Sequence, residues 1–511
     1  MNSRRMNKGY IILTLTLILI VRSAAWAQDE QQPAPAPVPA AGQDENAVPT
    51  VSENPPISAI DQPGLEPHAA PESFLVPGLH FSESVDSNVG DTTAGSSLTS
   101  VTRALGSLTL QKLWRNYDVA MDYIGGVAYY DQSGFGLQQL QQFDIDNRIN
   151  WKRGQLAIRD SFSYLPEGTF GFGAYGGGGA YNLGVGSLGS GLLGGGAFGG
   201  QSSAFSGGNG LNIALGVVPR ITNFALADVV EELTPKSSVT FAAGYGLLHF
   251  YGNLTDQNSL AGPLQENVSF IGSSEYTGQV AYNRILTPRD QVAVSYGYQA
   301  FDFSAVGTAF HSNVVQAMYG HRISGRMDFV ISAGPQFTRI NQQECNIPTI
   351  PAASCTGLGG TVSTVGESRL GAAGRVVLRY RFPRTTVSLS YQRYDTNGSG
   401  IFAGALSDIV TADARRPLSR VWDAFANAGY SRNSQLQVPG SVVNSGTFNY
   451  IYAGMGLHRQ FSRNLRGFVS YQFNYVSFNN GCPLGTACSS ASQNHVGSIG
   501  LDWTPRPIRL D

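Results

Sequence analysis

The side chains in this sequence that could carry covalent or metal chemistry are few and poorly placed for it. Four cysteines stand in two close pairs, Cys345 with Cys355 and Cys482 with Cys488. A metal site would need converging imidazoles or carboxylates, and only Glu344 is nearby. Even number and local spacing in an exported chain point instead to two disulfides within loops. A hydrolase would need a nucleophile, a histidine and an orienting acid or amide. His311-Ser312-Asn313 and His249 are the suggestive sites, and each reads as a lone interfacial or pore-facing histidine. Gly184-Val185-Gly186-Ser187-Leu188-Gly189 has the form of a phosphate-cradling turn, but it lies in a Gly-rich tract with no following helix or βαβ unit. No catalytic residue, cofactor or metal is expected, so the chain reads as a non-enzyme.

Charge placed on strands is the more informative chemistry. In segment 138–151, Phe143, Ile145, Ile149 and Trp151 share one face, and Asp144, Asp146 and Arg148 share the other. The tight turn after Trp151 sets Asp146 opposite Arg159, where opposite charges support each other. In segment 368–381, Leu370, Ala372, Val376, Leu378 and Tyr380 oppose Arg375, Arg379 and Arg381. Acidic and basic patches on one inner wall would set up a field that orients polar solutes and tunes ion selectivity.

The compartment follows from the first residues. Arg4, Arg5 and Lys8 precede the apolar run Ile11 to Val21, and Ala25-Trp26-Ala27 follows as a small-residue cleavage site, so residues 1–27 read as a secretory signal cut between Ala27 and Gln28. Residues 28–76 hold ten Pro, eight acids and no Lys or Arg, a composition too poor in apolar surface to fold. They read as a disordered linker, a solvated spacer or a tether to peptidoglycan. Without the leader's basic residues and the linker's acids, 29 basic residues face 27 acidic ones, which argues against nucleic acid as a partner.

The rest of the 511 residues, with 62 Gly, 13% charged and 11% aromatic residues, shows no long helical periodicity after residue 22. It shows period-2 segments of about ten to fourteen residues, long enough to cross a bilayer at a tilt. Tyr117, Val119, Met121, Tyr123, Val127 and Tyr129 alternate with Asp118, Ala120, Asp122, Gly126 and Ala128. Val239, Phe241, Ala243, Tyr245 and Leu247 alternate with Ser238, Thr240, Ala242, Gly244 and Gly246. Leu465, Val469, Tyr471, Phe473 and Tyr475 alternate with Arg466, Ser470, Gln472 and Asn474.

Six tight connections share an apolar, then small or polar, then basic order: Leu233-Thr234-Pro235-Lys236, Leu286-Thr287-Pro288-Arg289, Ile323-Ser324-Gly325-Arg326, Phe382-Pro383-Arg384-Thr385, Leu418-Ser419-Arg420 and Phe461-Ser462-Arg463. Long Gly-, Ser- and Asn-rich connections fall between them. The longest, about 166 to 210, reads as an external loop or a segment folded back into the lumen.

Leader, alternation, turn order and the closing segment His495 to Trp503 together resemble a Gram-negative outer-membrane β-barrel of the porin-like type, over about residues 77–505. The chain departs from that pattern by continuing from Thr504 to Asp511. The resemblance implies an all-β, antiparallel up-and-down barrel over residues 77–511, with both termini, and so the short turns, periplasmic. Eighteen strands are counted, with sixteen as the alternative. Segment 220–233 is the difficulty: pairing it through Thr234 and Ser237 puts Asp228 and Glu232 on the lipid side, so it reads as shifted in register or partly helical. The expected function is passive diffusion of small polar solutes or ions. The alternatives are an export conduit for polysaccharide or other cargo, or a structural or adhesive barrel with a blocked lumen. Expected partners are outer-membrane lipid, lipopolysaccharide and the barrel-insertion machinery.

Overall fold

The computed structural model describes residues 73–88, 98–131, 136–165, 219–251, 271–345, 360–396, 398, 402–436, 446–479 and 491–510. The barrel strands are β1 (Phe74–Asp86), β2 (Thr99–Leu113), β3 (Tyr117–Tyr130), β4 (Leu137–Trp151), β5 (Gly154–Leu165), β6 (Arg220–Thr234), β7 (Ser237–Phe250), β8 (Ser273–Thr287), β9 (Asp290–Phe303), β10 (Thr308–Ser324), β11 (Met327–Cys345), β12 (Val362–Arg381), β13 (Thr386–Thr396), β14 (Ala405–Pro417), β15 (Trp422–Gln435), β16 (Thr447–Ser462), β17 (Leu465–Phe478) and β18 (Ala491–Trp503). Each pairs antiparallel with its neighbours in sequence, and β1 also pairs with β18, from Leu79 opposite Trp503 to Asp86 opposite Val496. The sheet is therefore closed, with eighteen strands rather than sixteen. The residues beyond Trp503 add a two-residue strand, β19 (Ile508–Arg509), which pairs with Phe74 and Leu75. Ser73 and Lys112 bond to the backbone of Leu510, so the two ends of the barrel sequence are tied together.

Burial along the strands is inverted relative to a soluble protein. In β18, Ile499 is 60% exposed and Trp503 43%, while Asn494, Ser498 and Asp502 on the alternate parity are buried. Met455, Val469, Tyr296, Val294, Phe241 and Phe337 are likewise exposed on the outer face, and Gln472, Gln299, Gln336, Ser295 and Thr240 are buried on the inner one. Apolar side chains stand outward around the ring because each strand alternates faces and the outward set is apolar in every register. In water this surface would associate; in hydrocarbon it is the favourable one, so the barrel spans a membrane.

The tight turns follow from the residues in their shared pattern. The Ser or Thr at the second position accepts backbone N–H groups two or three residues on: Thr234 from Lys236, Thr287 from Arg289 and Asp290, Ser324 from Arg326, Ser419 from Val421 and Trp422, and Ser462 from Asn464. In four of these turns the preceding apolar residue is a β-bulge. The register shifts between Glu232 and Thr234, Ile285 and Thr287, Arg322 and Ser324, and Gln460 and Ser462. The bulged Leu233, Leu286, Ile323 and Phe461 are each about half exposed.

That bulge is the register shift expected of segment 220–233, which is a strand throughout. Thr234 does pair with Ser237, but the extra residue at Leu233 shifts every pair beyond it by one, so Asp228 stands opposite Ala242 instead of the lipid-facing Ala243. A one-residue slip exchanges the faces of a strand. Asp228 accordingly faces inward at 4% exposure.

Met455 lies near mid-strand on the outer face. A guanidinium there meets hydrocarbon, so Met455→Arg is expected to cost about 2–4 kcal/mol in urea unfolding from lipid vesicles. A change below about 1 kcal/mol would mean that this face does not meet lipid.

Candidate functional site: the charged inner wall

The inner wall carries a cluster of buried charge where β4, β5 and β6 meet. Asp146 pairs opposite Arg159 in the ladder, and their side chains form an ion pair at 3.6 Å. Arg148 donates to the same carboxylate from the adjacent inward position, at 2.8 Å. On its other side, Arg159 donates to Asp228, so one guanidinium bridges acids from β4 and β6. Asp144 lies one turn of the pleat further along, accepting from Ser161 at 2.5 Å and Gln142 at 2.9 Å. Asp144, Asp146, Arg159 and Asp228 are all buried. Removing either sign would leave the other without compensation in a site that water reaches poorly.

Arg375, Arg379 and Arg381 stand on β12, eight strands further round the eighteen-strand ring. Arg375 pairs opposite Ser332 and Gln392, and Arg379 opposite Asp328 and Ser388. Leu370 and Val376 on the same strand are exposed outward, so the three arginines take the inward parity. The β4 to β6 acids and the β12 arginines therefore sit on well-separated arcs of the wall.

At the closure seam, His80 joins three strands. Its Nδ1 lies 2.9 Å from Asp502 on β18, and its Nε2 lies 2.8 Å from the Ser107 hydroxyl on β2. The order carboxylate, imidazole, hydroxyl is that of a nucleophilic relay. Here, however, His80 and Asp502 are each 2% exposed, and the backbone N–H groups around them pair in the ladders, leaving none aimed at a developing oxyanion. The cluster acts as a polar clamp on the seam. Sequence reading missed it because 27 and 422 residues separate its members from His80, and only closure brings them together.

The expected histidine sites are not assembled. His311 and Asn313 face outward beneath the Tyr298 and Tyr296 hydroxyls, at 3.0 and 2.7 Å, whereas Ser312 between them is buried inward. His249 is exposed beside the Tyr251 ring. Cys345 closes β11; Cys355, Cys482 and Cys488 lie outside the described residues, as do Ala27, Gln28 and the segment 166–210.

A buried apolar cluster lies at the end away from the short turns. Between β13 and β14, Gly398 and Gly404 take positive φ, and Phe402 packs on Phe448 of β16 with ring centroids 5.6 Å apart. Gly404 lies against the Phe310 ring, where a side chain would collide. Phe301, Phe303, Phe310, Ile340, Leu406 and Leu436 complete a buried apolar cluster there. Beside it, Asp395 accepts from Thr338 and Ser312, and a small cavity is lined by Gln336, Thr338, Arg369, Arg393 and Asp395.

No protein-family model matches the sequence, and no curated protein matches it. Among solved structures, it is similar to the outer membrane protein opdK from Pseudomonas aeruginosa, at 9% identity over 85% of this chain and 98% of that one, with a TM-score of 0.39. It is similar to Acinetobacter baumannii OccAB3 at 8% identity over 85% and 99%, with a TM-score of 0.38. The ferric-catecholate import receptor Fiu from E. coli gives 9% over 84% and 81%, with a TM-score of 0.40.

Arg159→Ala leaves Asp146 and Asp228 facing each other without their shared cation. The expected loss is about 3–5 kcal/mol of stability in denaturant unfolding. Adding Asp228→Asn to the same chain is expected to restore part of it, and an additive double variant would contradict the bridge.

Proposed function

We propose that this chain is an outer-membrane channel through which small polar solutes or ions diffuse passively. The carrying observation is the inner wall, which bears charge of both signs on separate arcs of a barrel with too many strands for ordinary side chains to fill it. Solutes would pass without covalent chemistry, sorted by width and by the transverse field between Asp144, Asp146, Arg148 and Arg159 on one arc and Arg375, Arg379 and Arg381 on the other. The reading includes export through the residue 1–27 leader and insertion by the barrel-assembly machinery with short turns periplasmic. It also includes loop disulfides at Cys345, Cys355, Cys482 and Cys488, lipopolysaccharide around the outer mouth, and a linker from residue 28 to the start of β1 that reaches toward peptidoglycan.

A second reading, a surface barrel with a blocked lumen, is favoured by the burial of the inward polar residues and by the buried packing of Phe402 on Phe448. Single-channel recording of the refolded chain in planar bilayers separates the two. Stable conductance steps are expected, and Arg375→Gln with Arg379→Gln is expected to move the cation-to-anion permeability ratio severalfold toward cations. A folded barrel that never conducts would replace diffusion with the blocked reading.

A further inference from the structure

Each of the eight short turns carries a cation: Arg115, Lys152 with Arg153, Lys236, Arg289, Arg326, Arg384, Arg420 and Arg463. None of these turns contains Asp or Glu, and the nine connections at the other end of the barrel contain no Lys or Arg. The nine turn cations are all exposed, and Arg506 beyond β18 joins them at the same rim. No turn cation has an ion-pair partner among the described residues. Of the acids near the rim, Glu231 accepts from Trp151, Asp290 from Thr287 and Tyr319, and Asp423 from Arg415, while Glu232 and Asp328 stand on the strands beside the turns.

A collar of apolar side chains borders the ring of charge on its barrel side. Leu233, Leu286, Ile323, Phe382, Leu418 and Phe461 are each about half exposed and stand two or three residues before the cation of their turn. Apolar and aromatic collars settle at the boundary between acyl chains and headgroups, so cations two or three residues beyond reach the level of the phosphates. The charge runs round the whole perimeter instead of gathering into a patch. A ring of that form fits a surrounding annulus of lipid better than one docked macromolecule.

We infer that the short-turn rim is a binding site for anionic phospholipid headgroups, held by the turn cations and registered by the apolar collar. The inference rests on the transmembrane reading, in which this rim lies in the phospholipid leaflet. It gives the recurring turn motif two tasks: the hydroxyl shapes the turn and the cation holds a lipid phosphate.

The test uses the full refolded chain in phosphatidylcholine vesicles doped with spin-labelled phosphatidylglycerol or spin-labelled phosphatidylcholine, comparing the fraction of each lipid that the protein immobilises. Phosphatidylglycerol is expected to be preferred about threefold or more, and the preference should fall toward parity in ~0.5 M salt, where the Debye length is only about 4 Å. It should also fall in the combined variant Lys236→Gln, Arg289→Gln, Arg326→Gln, Arg384→Gln, Arg420→Gln and Arg463→Gln, with folding confirmed by heat-modifiable migration. Equal immobilisation of the two lipids by the native chain, or a preference that survives both salt and the variant, would overturn the site. Should the variant fail to fold, the salt dependence of the native chain decides alone. Absence of any immobilised lipid would overturn the transmembrane reading itself, a different outcome.

Discussion

Hydrocarbon cannot hydrogen-bond to a peptide group, and that constraint organises this molecule. A sheet exposed to lipid must leave no edge, so β1 has to find β18 across more than four hundred residues of chain. The seam is reinforced where it would otherwise be weakest. His80 bonds to Asp502 across it and to Ser107 on the neighbouring strand, and β19 returns along the first residues of β1. With the ladder closed, side-chain alternation does the rest, since one face of every strand meets lipid and the other meets the interior.

The inner wall inherits the polar residues that the lipid face excludes. Much of its charge is neutralised by neighbours from adjacent strands, as in the chain from Arg148 through Asp146 and Arg159 to Asp228. Mutual neutralisation of this kind supports the barrel regardless of transport. The proposed channel reading rests on the difference between arcs: β4 to β6 carry Asp144, Asp146 and Asp228 against Arg148 and Arg159, while β12 carries Arg369, Arg375, Arg379 and Arg381 about half a circumference away. The apolar cluster around Phe310 and the Phe402–Phe448 contact lie at a different level, at the end away from the short turns.

Strand existence and strand number were legible in the sequence because the alternation is strong and the tight turns recur. The ladder position of Asp146 opposite Arg159 followed from a plain two-residue turn at Lys152-Arg153. The same counting put Asp228 on the lipid side and so pointed to a shifted register, but not to its source, because Leu233 looks like one more strand residue and is instead a bulge. Four turns share that device, so the apolar residue that opens the motif is itself the signal: placed before a hydroxyl that caps the turn, it faces outward and adds one to the register. The His80 cluster and the Phe402–Phe448 contact left no local mark, since each joins residues far apart in the sequence. Residue 77 as the barrel's first was three residues late, because Phe74 to Val76 pair with Gln111 to Thr109 although they follow a Pro-rich acidic stretch.

The central claim is that an inside-out alternation of side chains, apolar outward and polar inward, holds this barrel in a membrane. It is tested most directly by nitroxide labels placed one at a time at Val469, Ser470, Tyr471 and Gln472 in vesicle-reconstituted protein whose native cysteines are replaced by serine. Collision with lipid-soluble oxygen should be high at positions 469 and 471 and low at 470 and 472. Uniform collision rates along the strand, or the opposite alternation, would contradict the account.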